Sequence, residues 1–518
     1  MAQAIFAQAD RIHNAAILAR SIWVRLVIGL LSSRGLATMG ADQSSTAQAK
    51  AFNIKMPREY IRFVVVDFNG RELSKVVPKR HRGDRVFMYS GAIAFGANSE
   101  VTTFPTDVME AGCPNTELHP DWSTERILPW ASSPEVVVSR VLCSQENVPV
   151  PRAICQRLLG ELAELEVEQG KGPAGLELLG ASELEFMAAS RSEGGEWRPM
   201  FDGVDIFATM QFAKAADLCY EIETNMEAAG VDVKTMNAEY GQGQLEITFA
   251  PKFGIAAADD ATTFRTGVKE IAQKRGLWAT FMSRPFPDMT VGNGGHFNFS
   301  LWRPSPKARD PDGSHPIGGF SVAGKDSAMH SSSDPAGLSD LARHFLAGVL
   351  CHGPALEALC APTPACYTRH GNWAPRAATW GPEDRMAMVR VKADPKGSAK
   401  RCQMELRAPS ASACGYLVLA GLVAAGLDGL RRQLGLPPPR QPEAEAAALP
   451  ASLGEALEAL EADEYMVRTL GKDFVAWYCG VKRAELKSID EKVGSPASDE
   501  ERHRLQAAAW QHLYFKLV

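Results

Sequence analysis

Acidic side chains inside segments that otherwise read as β-strands constrain this chain more than any other feature. Ser182-Glu183-Leu184-Glu185-Phe186 follows the apolar pair Leu178-Leu179. Residues two apart on a strand share a face, so Glu183 and Glu185 project together while Leu184 and Phe186 turn to the core. Two neighbouring carboxylates repel one another and call for a cation. Glu239-Tyr-Gly-Gln-Gly-Gln-Leu-Glu246 holds a second acidic pair. Its glycines break the strand, so the two acids are not forced onto opposite faces, and Glu246 is expected to open a new strand through Ile247-Thr-Phe249. Gly292-Asn-Gly-Gly-His296-Phe-Asn-Phe-Ser-Leu301 reads as a glycine-rich turn entering a strand, with His296 its first large polar side chain. Glycines there permit close backbone approach to a substrate. Gly381 to Val391 reads as a turn followed by a strand bearing Arg385 and Arg390. Gln403-Met-Glu405-Leu-Arg407 places Glu405 and Arg407 on one face.

Five of these carboxylates, one histidine and three arginines thus recur in strand-like segments of one region. Buried acids in such number need compensation by metals or arginines. Oxygen ligands with a single imidazole suit Mg²⁺ or Mn²⁺. Divalent metals beside arginines are what phosphoryl transfer from ATP requires.

The surrounding chain is organised as follows. Ile61 to Phe68 reads as a strand, Asn69-Gly70 as a hairpin turn and Leu73 to Val77 as the returning strand. Short apolar stretches punctuated by Gly, Pro, Ser and Thr run to about residue 142, which describes a small, mostly β domain. Pro151 opens a helix at a position where proline is tolerated. Helical and strand patterns then alternate. Asp259-Asp260 sits at the acidic start of a helical run through Lys274, and Tyr416 to Leu430 reads as a buried helix. Pro437 to Pro450 is a linker or surface loop, and Ser452 with Glu455 forms a capping box. The expected domains are an extension over residues 1–50, a β domain over 51–145 and a catalytic domain over 146–518.

Composition sets the limits. The 518 residues are 45% hydrophobic and 22% charged, an ordinary globular balance. A formal charge of -6 leaves no basic excess for a nucleic-acid backbone. Ten cysteines contain no CxxC pair, which favours reduced thiols and a cytoplasmic setting. The first 40 residues carry Arg11, Arg20, Arg25 and Arg34 against the single acid Asp10, a character shared with mitochondrial transit peptides. Their apolar stretch Ser21 to Leu31 is too short to span a membrane, which takes about 20 residues.

SELEF, NAEYGQGQLEITF, ATFMSRPFPDMTVGNGGHFNFSL, TWGPEDRMAMVRV, MELRAP and YLVLAGLVAAGLDGL together resemble the glutamine synthetase superfamily, in its order and over roughly residues 55–490. FGIAAADDATTFRTGVKEIA also resembles the lengsin branch, and the Trp373-Ala-Pro375 stretch resembles bacterial γ-glutamyl-amine ligases. The resemblance implies an α+β fold: an N-terminal β-grasp domain and a C-terminal catalytic domain with a curved antiparallel sheet. It implies a homo-oligomeric ring, hexamer to dodecamer, with active sites between subunits. It also implies ATP and two Mg²⁺ or Mn²⁺ per site. One metal would be held by Glu185, Glu239 and Glu246, the other by Glu183, His296 and Glu405. Arg385, Arg390 and Arg407 would serve the transferring phosphoryl group, Ser300 and Arg390 the nucleotide, and Gly292, Arg369 and Trp373 the substrate.

The departures from the family pattern carry the substrate expectation. Trp373 falls where ammonia-using members have a glutamate. The motif that brings a neighbouring subunit's aspartate is unrecognisable around Tyr89-Ser-Gly-Ala-Ile-Ala-Phe95. Asn298 stands for a second histidine and Val291 for an asparagine. Arg369 is the nearest candidate for the glutamate carboxylate, given a two-residue deletion before Trp373. The expected reaction is ATP-dependent joining of glutamate to a small amine through γ-glutamyl phosphate. The alternatives are a non-catalytic, lengsin-like structural protein and an ordinary glutamate–ammonia ligase.

Overall fold

The computed structural model describes residues 57–99, 110–165, 175–202, 205–286, 289, 291–304, 325–393 and 396–518. The expected extension over residues 1–50, with its targeting character, lies outside them. Residues 57–518 form one compact unit, whose described residues build two sheets. The smaller comprises β1 (Arg58–Val66), β2 (Glu72–Pro78), β3 (Phe87–Tyr89), β4 (Asn115–Ile127) and β5 (Val136–Gln145). They lie in the order β2-β1-β5-β4-β3, with β1 and β5 parallel at the centre. The turn from β1 to β2 is tightened by Asp67, whose Oδ1 accepts from the backbone N–H of Asn69 at 2.9 Å and of Arg71 at 2.8 Å. Strand β1 therefore ends at Val66, two residues before the expected limit.

The larger sheet has eleven described strands. These are β6 (Glu177–Arg191), β7 (Trp197–Pro199), β8 (Val233–Ala238), β9 (Gln244–Phe249), β10 (Lys252–Phe253), β11 (Trp278–Thr280), β12 (Gly295–Pro304), β13 (Lys325–Ser327), β14 (Trp380–Pro382), β15 (Val389–Lys392) and β16 (Gln403–Leu406). Its spine runs β14-β15-β16-β12-β6-β9-β8, antiparallel except between β14 and β15. The α+β class expected from sequence, with a largely antiparallel main sheet, is the class observed.

Helices cover one face of this sheet. Leu184, Phe186, Leu245 and Ile247 pack there against α2 (Thr209–Ala228) and α3 (Ala256–Lys274), which follow α1 (Pro151–Ala163) in the chain. Phe297, Phe299, Met404 and Leu406 share a second core with α4 (Asp340–Cys351), α5 (Gly353–Cys360) and the buried α6 (Gly415–Arg432). The acids at the start of α3 do more than meet the helix dipole. Asp259 is buried between Arg152 (2.9 Å) and the Tyr416 hydroxyl (2.6 Å), locking α3 to α1 and α6. The Pro437–Pro450 segment is a surface loop pinned back by Leu449, whose N–H donates to the Arg376 carbonyl at 2.9 Å.

Candidate active site

The sheet register gathers the acids. Glu185 lies opposite Glu246, and Glu183 lies opposite both Thr248 and His296. Glu405 lies opposite both Asn298 and Arg390. Directly paired residues share a face, so five strands project their polar side chains away from the helices. Glu246 sits in the middle of β9 instead of opening it, because Gln244 and Leu245 already pair with β6.

These side chains line a cavity of about 490 Å³. All of Glu183, Glu185, Glu239, Glu246, Gly292, His296, Arg369, Trp373, Arg385, Arg390, Glu405 and Arg407 border it. Ser300 does not. It lies on the wall of a neighbouring 330 Å³ cavity with Thr248, Phe249, Lys400 and Arg401, and its hydroxyl accepts from Trp302 Nε1 at 2.8 Å.

Glu183, His296 and Glu405 converge most closely, with one ligand atom from each lying within 4.8 Å of the others. His296 Nδ1 stands 3.4 Å from Glu183 and 3.5 Å from Glu405. Ligands about 2.1 Å from an octahedral Mg²⁺ lie roughly 3 Å apart when adjacent, so this trio fits such an ion with small adjustments. His296 Nε2 is buried and has no hydrogen-bond partner. Burial, then the Arg407 charge, lowers the His296 pKa and favours the neutral imidazole that metals bind. Glu185, Glu239 and Glu246 border the same cavity without closing into a comparable group among the described residues.

Charge balance divides these acids. Burial raises the pKa of Glu183 and Glu405, but the opposing groups outweigh it. His296 and Lys392 hold Glu183 down, while His296, Arg407 and Lys392 hold Glu405 down. Glu246 has no such partner, and for Glu185 the Gly294 N–H and the Arg369 charge are outweighed. Burial, then the Glu239 charge, pushes Glu185 up to about 8. Burial, then the charges of Glu183, Glu185 and Glu239, pushes Glu246 up to about 9. Glu185 still accepts from the Gly294 N–H at 2.9 Å and from Gln244 Nε2 at 2.7 Å, so its carboxylate is oriented although burial and Glu239 outweigh the Arg369 charge. A divalent cation in the cavity would relieve that repulsion, and among the described residues Glu183, His296 and Glu405 are the trio spaced to hold one.

The arginines are held in place. Arg407 Nη1 donates to Glu405, its Nε to the Arg385 carbonyl at 2.8 Å and its Nη2 to the Trp373 carbonyl at 3.3 Å. Arg390 bridges Glu383 and Glu405. Trp373 borders the cavity half-exposed, with its backbone at φ +62°, a region costly for a bulky residue unless the surroundings impose it. The Tyr89–Phe95 stretch is mostly a buried 3-10 helix that follows β3, and its residues do not border this cavity.

Sequence reading missed Lys392, which pairs with Glu405 at 2.7 Å, and Gln244, Phe207 and Tyr240, which also border the cavity. A signal existed for two of them. Lys392 is two residues from Arg390 and Gln244 two residues from Glu246, so the strand period puts each on the polar face.

The glutamine synthetase catalytic-domain pattern matches residues 150–498, more than half of the chain. The chain belongs to the glutamine synthetase family. It is 33% identical over 391 residues to the glutamine synthetase of Methanocaldococcus jannaschii, covering 71% of this chain and 78% of that protein. It is 29% identical over 454 residues to human lengsin, covering 83% and 80%. Its fold matches the crystal structure of a glutamine synthase homolog with a TM-score of 0.70 at 25% identity, covering 89% of this chain and all of that one. It also matches GmaS in complex with ADP with a TM-score of 0.68 at 25% identity, covering 90% and 99%. Among the described residues no helix is long and apolar enough to cross a membrane.

Proposed function

We propose that this chain is an ATP-dependent ligase that joins glutamate to a small organic amine as a γ-glutamyl amide. The observation that carries the reading is the cavity itself: the six expected metal-ligand positions and three arginines border it, with Trp373 on its wall. Likeness to GmaS, a γ-glutamylmethylamide synthetase solved with ADP, supports an amine acceptor.

In this reading Glu183, His296 and Glu405 hold one divalent ion and Glu185, Glu239 and Glu246 a second. When bound, these ions neutralise the phosphate oxygens of ATP and polarise the transferring phosphoryl group. Ser300 lines the adenosine side, in the neighbouring cavity. A γ-carboxylate oxygen of glutamate attacks the γ-phosphorus, and ADP leaves. Arg385, Arg390 and Arg407 balance the charge on the transferring oxygens, and the carbonyl anchors of Arg407 fix its position beforehand. The amine nitrogen then attacks the acyl carbon, phosphate leaves, and the nitrogen gives up one proton. Arg369, facing Glu185 across the cavity, takes the substrate carboxylate, and Gly292 allows close approach.

Trp373 decides the nucleophile. With tryptophan in place of a carboxylate, ammonium gains no counter-charge there. An amine gains the indole face, and its carbons gain burial. Homo-oligomeric assembly through the small-sheet domain over residues 51–145, and a cytoplasmic location, complete the proposal. Calorimetry of nucleotide binding with and without Mg²⁺, followed by ADP release with glutamate and a panel of amines, tests it. Metal-independent or absent nucleotide binding would overturn it. Nucleotide binding without turnover on any nucleophile would favour the lengsin-like structural reading.

A further inference from the structure

Behind the cavity wall lies a buried pair that the reaction as described does not use. Glu357, on α5, is 1% exposed, and its Oε1 lies 3.0 Å from His370 Nε2. The ring N–H donates and the carboxylate accepts. Its other oxygen, Oε2, is buried without a hydrogen-bond partner. A carboxylate buried this far is unfavourable unless paired, so its place needs a reason.

That reason is its position. His370 is the root of the short loop that carries Arg369, Asn372 and Trp373, all three bordering the cavity. The loop closes on itself: the Gly371 N–H donates to the Ala374 carbonyl at 2.9 Å and the Asn372 N–H to the Arg369 carbonyl at 2.8 Å. Arg369 is buried, and Glu185 on the cavity side and Glu357 behind are the two carboxylates whose charge acts on it. Glu357 therefore faces the loop twice, by a hydrogen bond to His370 and by its charge beside Arg369. Tyr367 stands edge-on to the His370 ring, 5.4 Å between centroids, and fills the remaining side.

We infer that Glu357 and His370 are positioning residues that set the stance of the Arg369–Trp373 loop, and through it the choice between an organic amine and ammonia. The inference rests on the ligase reading. Its physical content is separate: helix α5 holds the loop from behind through one charged hydrogen bond. Without that anchor, Trp373 loses the support for its left-handed backbone, and Arg369 loses one of the two carboxylates that face it.

The test compares Glu357→Ala, His370→Leu and the conservative Glu357→Gln, which keeps an oxygen to accept from the imidazole. Backbone hydrogen exchange is followed first in the full chain without substrates. The amides of Gly371 and Asn372 should exchange at least tenfold faster in the alanine and leucine variants, with β12 unchanged, and Glu357→Gln should stay near the parent. Unchanged exchange at these amides overturns the inference whether or not the protein is a ligase. Initial ADP-release rates with glutamate and either ethylamine or ammonium follow. The disrupting variants should raise KM for glutamate about tenfold or more, since a displacement near 1 Å costs up to about 100-fold. They should also narrow the ethylamine-to-ammonium preference and leave Mg²⁺-dependent ATP binding intact. A uniform fall in kcat with the preference unchanged would mean a merely structural pair and would overturn the inference. If the leucine variant does not fold, His370→Asn, which keeps a donor on a shorter side chain, gives the same readouts. A parent that exchanges as expected but releases no ADP with any nucleophile counts against the ligase reading instead.

Discussion

Replacing Glu405 by alanine removes the carboxylate on which three cations converge. Glu405 is 1% exposed, and it meets Arg407, Arg390 at 3.2 Å and Lys392 at 2.7 Å. Arg407 is the deeply buried partner; Arg390 and Lys392 keep some contact with solvent. Stranding a buried guanidinium costs about 3–5 kcal/mol. The two more exposed pairs add about 0.2–1 kcal/mol each. The loss should therefore be about 3–7 kcal/mol, a large share of the roughly 5–15 kcal/mol that holds a protein folded. Glu405→Gln keeps an accepting oxygen and should cost less, about 1–3 kcal/mol. Urea unfolding of parent and variants in EDTA measures both. The same experiment with Mg²⁺ and a non-hydrolysable ATP analogue adds a second comparison. A ligand at a hundred times its Kd stabilises the parent by about 2.7 kcal/mol, and Glu405→Ala should lose most of that increment. A cost below about 1 kcal/mol, within the range of an ordinary surface change, together with an undiminished ligand increment, would refute the reasoning.

Three further outcomes follow from the same geometry. Because Glu185 and Glu246 are raised to about 8 and 9 by burial and by one another's neighbours, divalent metal must displace protons at pH 7. Calorimetry in buffers of different ionisation enthalpy should show proton release at pH 7 that fades as the pH rises beyond 9, with apparent affinity increasing over that range; no release at pH 7 would contradict the assignment. His352 sits between Asp463 at 2.6 Å and Asp428 at 3.0 Å. Burial lowers its pKa, but these hydrogen bonds prevail and raise it above the usual 6.5. Its stabilisation is thus complete below the unfolded value and lost as the pH rises through the folded one, so His352→Gln should flatten the pH dependence of Tm there. Finally, mass photometry should find a species of at least hexamer size, and a clean monomer at micromolar concentration would weigh against a working shared site.

The site was legible in sequence to the extent that it obeys the strand period. Glu183 with Glu185, and Glu405 with Arg407, are i, i+2 pairs, and the structure places all four on the cavity. Pro151 opens α1 as expected, and Ser452 caps its helix, its hydroxyl accepting from the Glu455 N–H at 3.2 Å. What stayed hidden depends on register between distant strands. Nothing local says that Glu246 opposes Glu185, or that Arg390 and Asn298 flank Glu405 from either side. Phe207 reaches the cavity from a loop with no periodic signal. Glu357 and His370 are 13 residues apart with a turn between them, and only the packing of α5 against that turn reveals the pair. Ser300 shares the face of His296 but lies four residues further along β12, which places it over the neighbouring cavity.

The most direct measurement of the central claim is the initial rate of ADP release with glutamate and Mg²⁺, using ethylamine or ammonium as the nucleophile. An indole face is worth roughly 0.5–2 kcal/mol to a cation, and each buried CH₂ adds about 0.8 kcal/mol. At 1.4 kcal/mol per factor of ten, ethylamine should be preferred by about tenfold or more. Trp373→Glu should shift that preference toward ammonium. A parent protein that uses ammonium faster than ethylamine would contradict the account and make ordinary glutamine synthesis its activity.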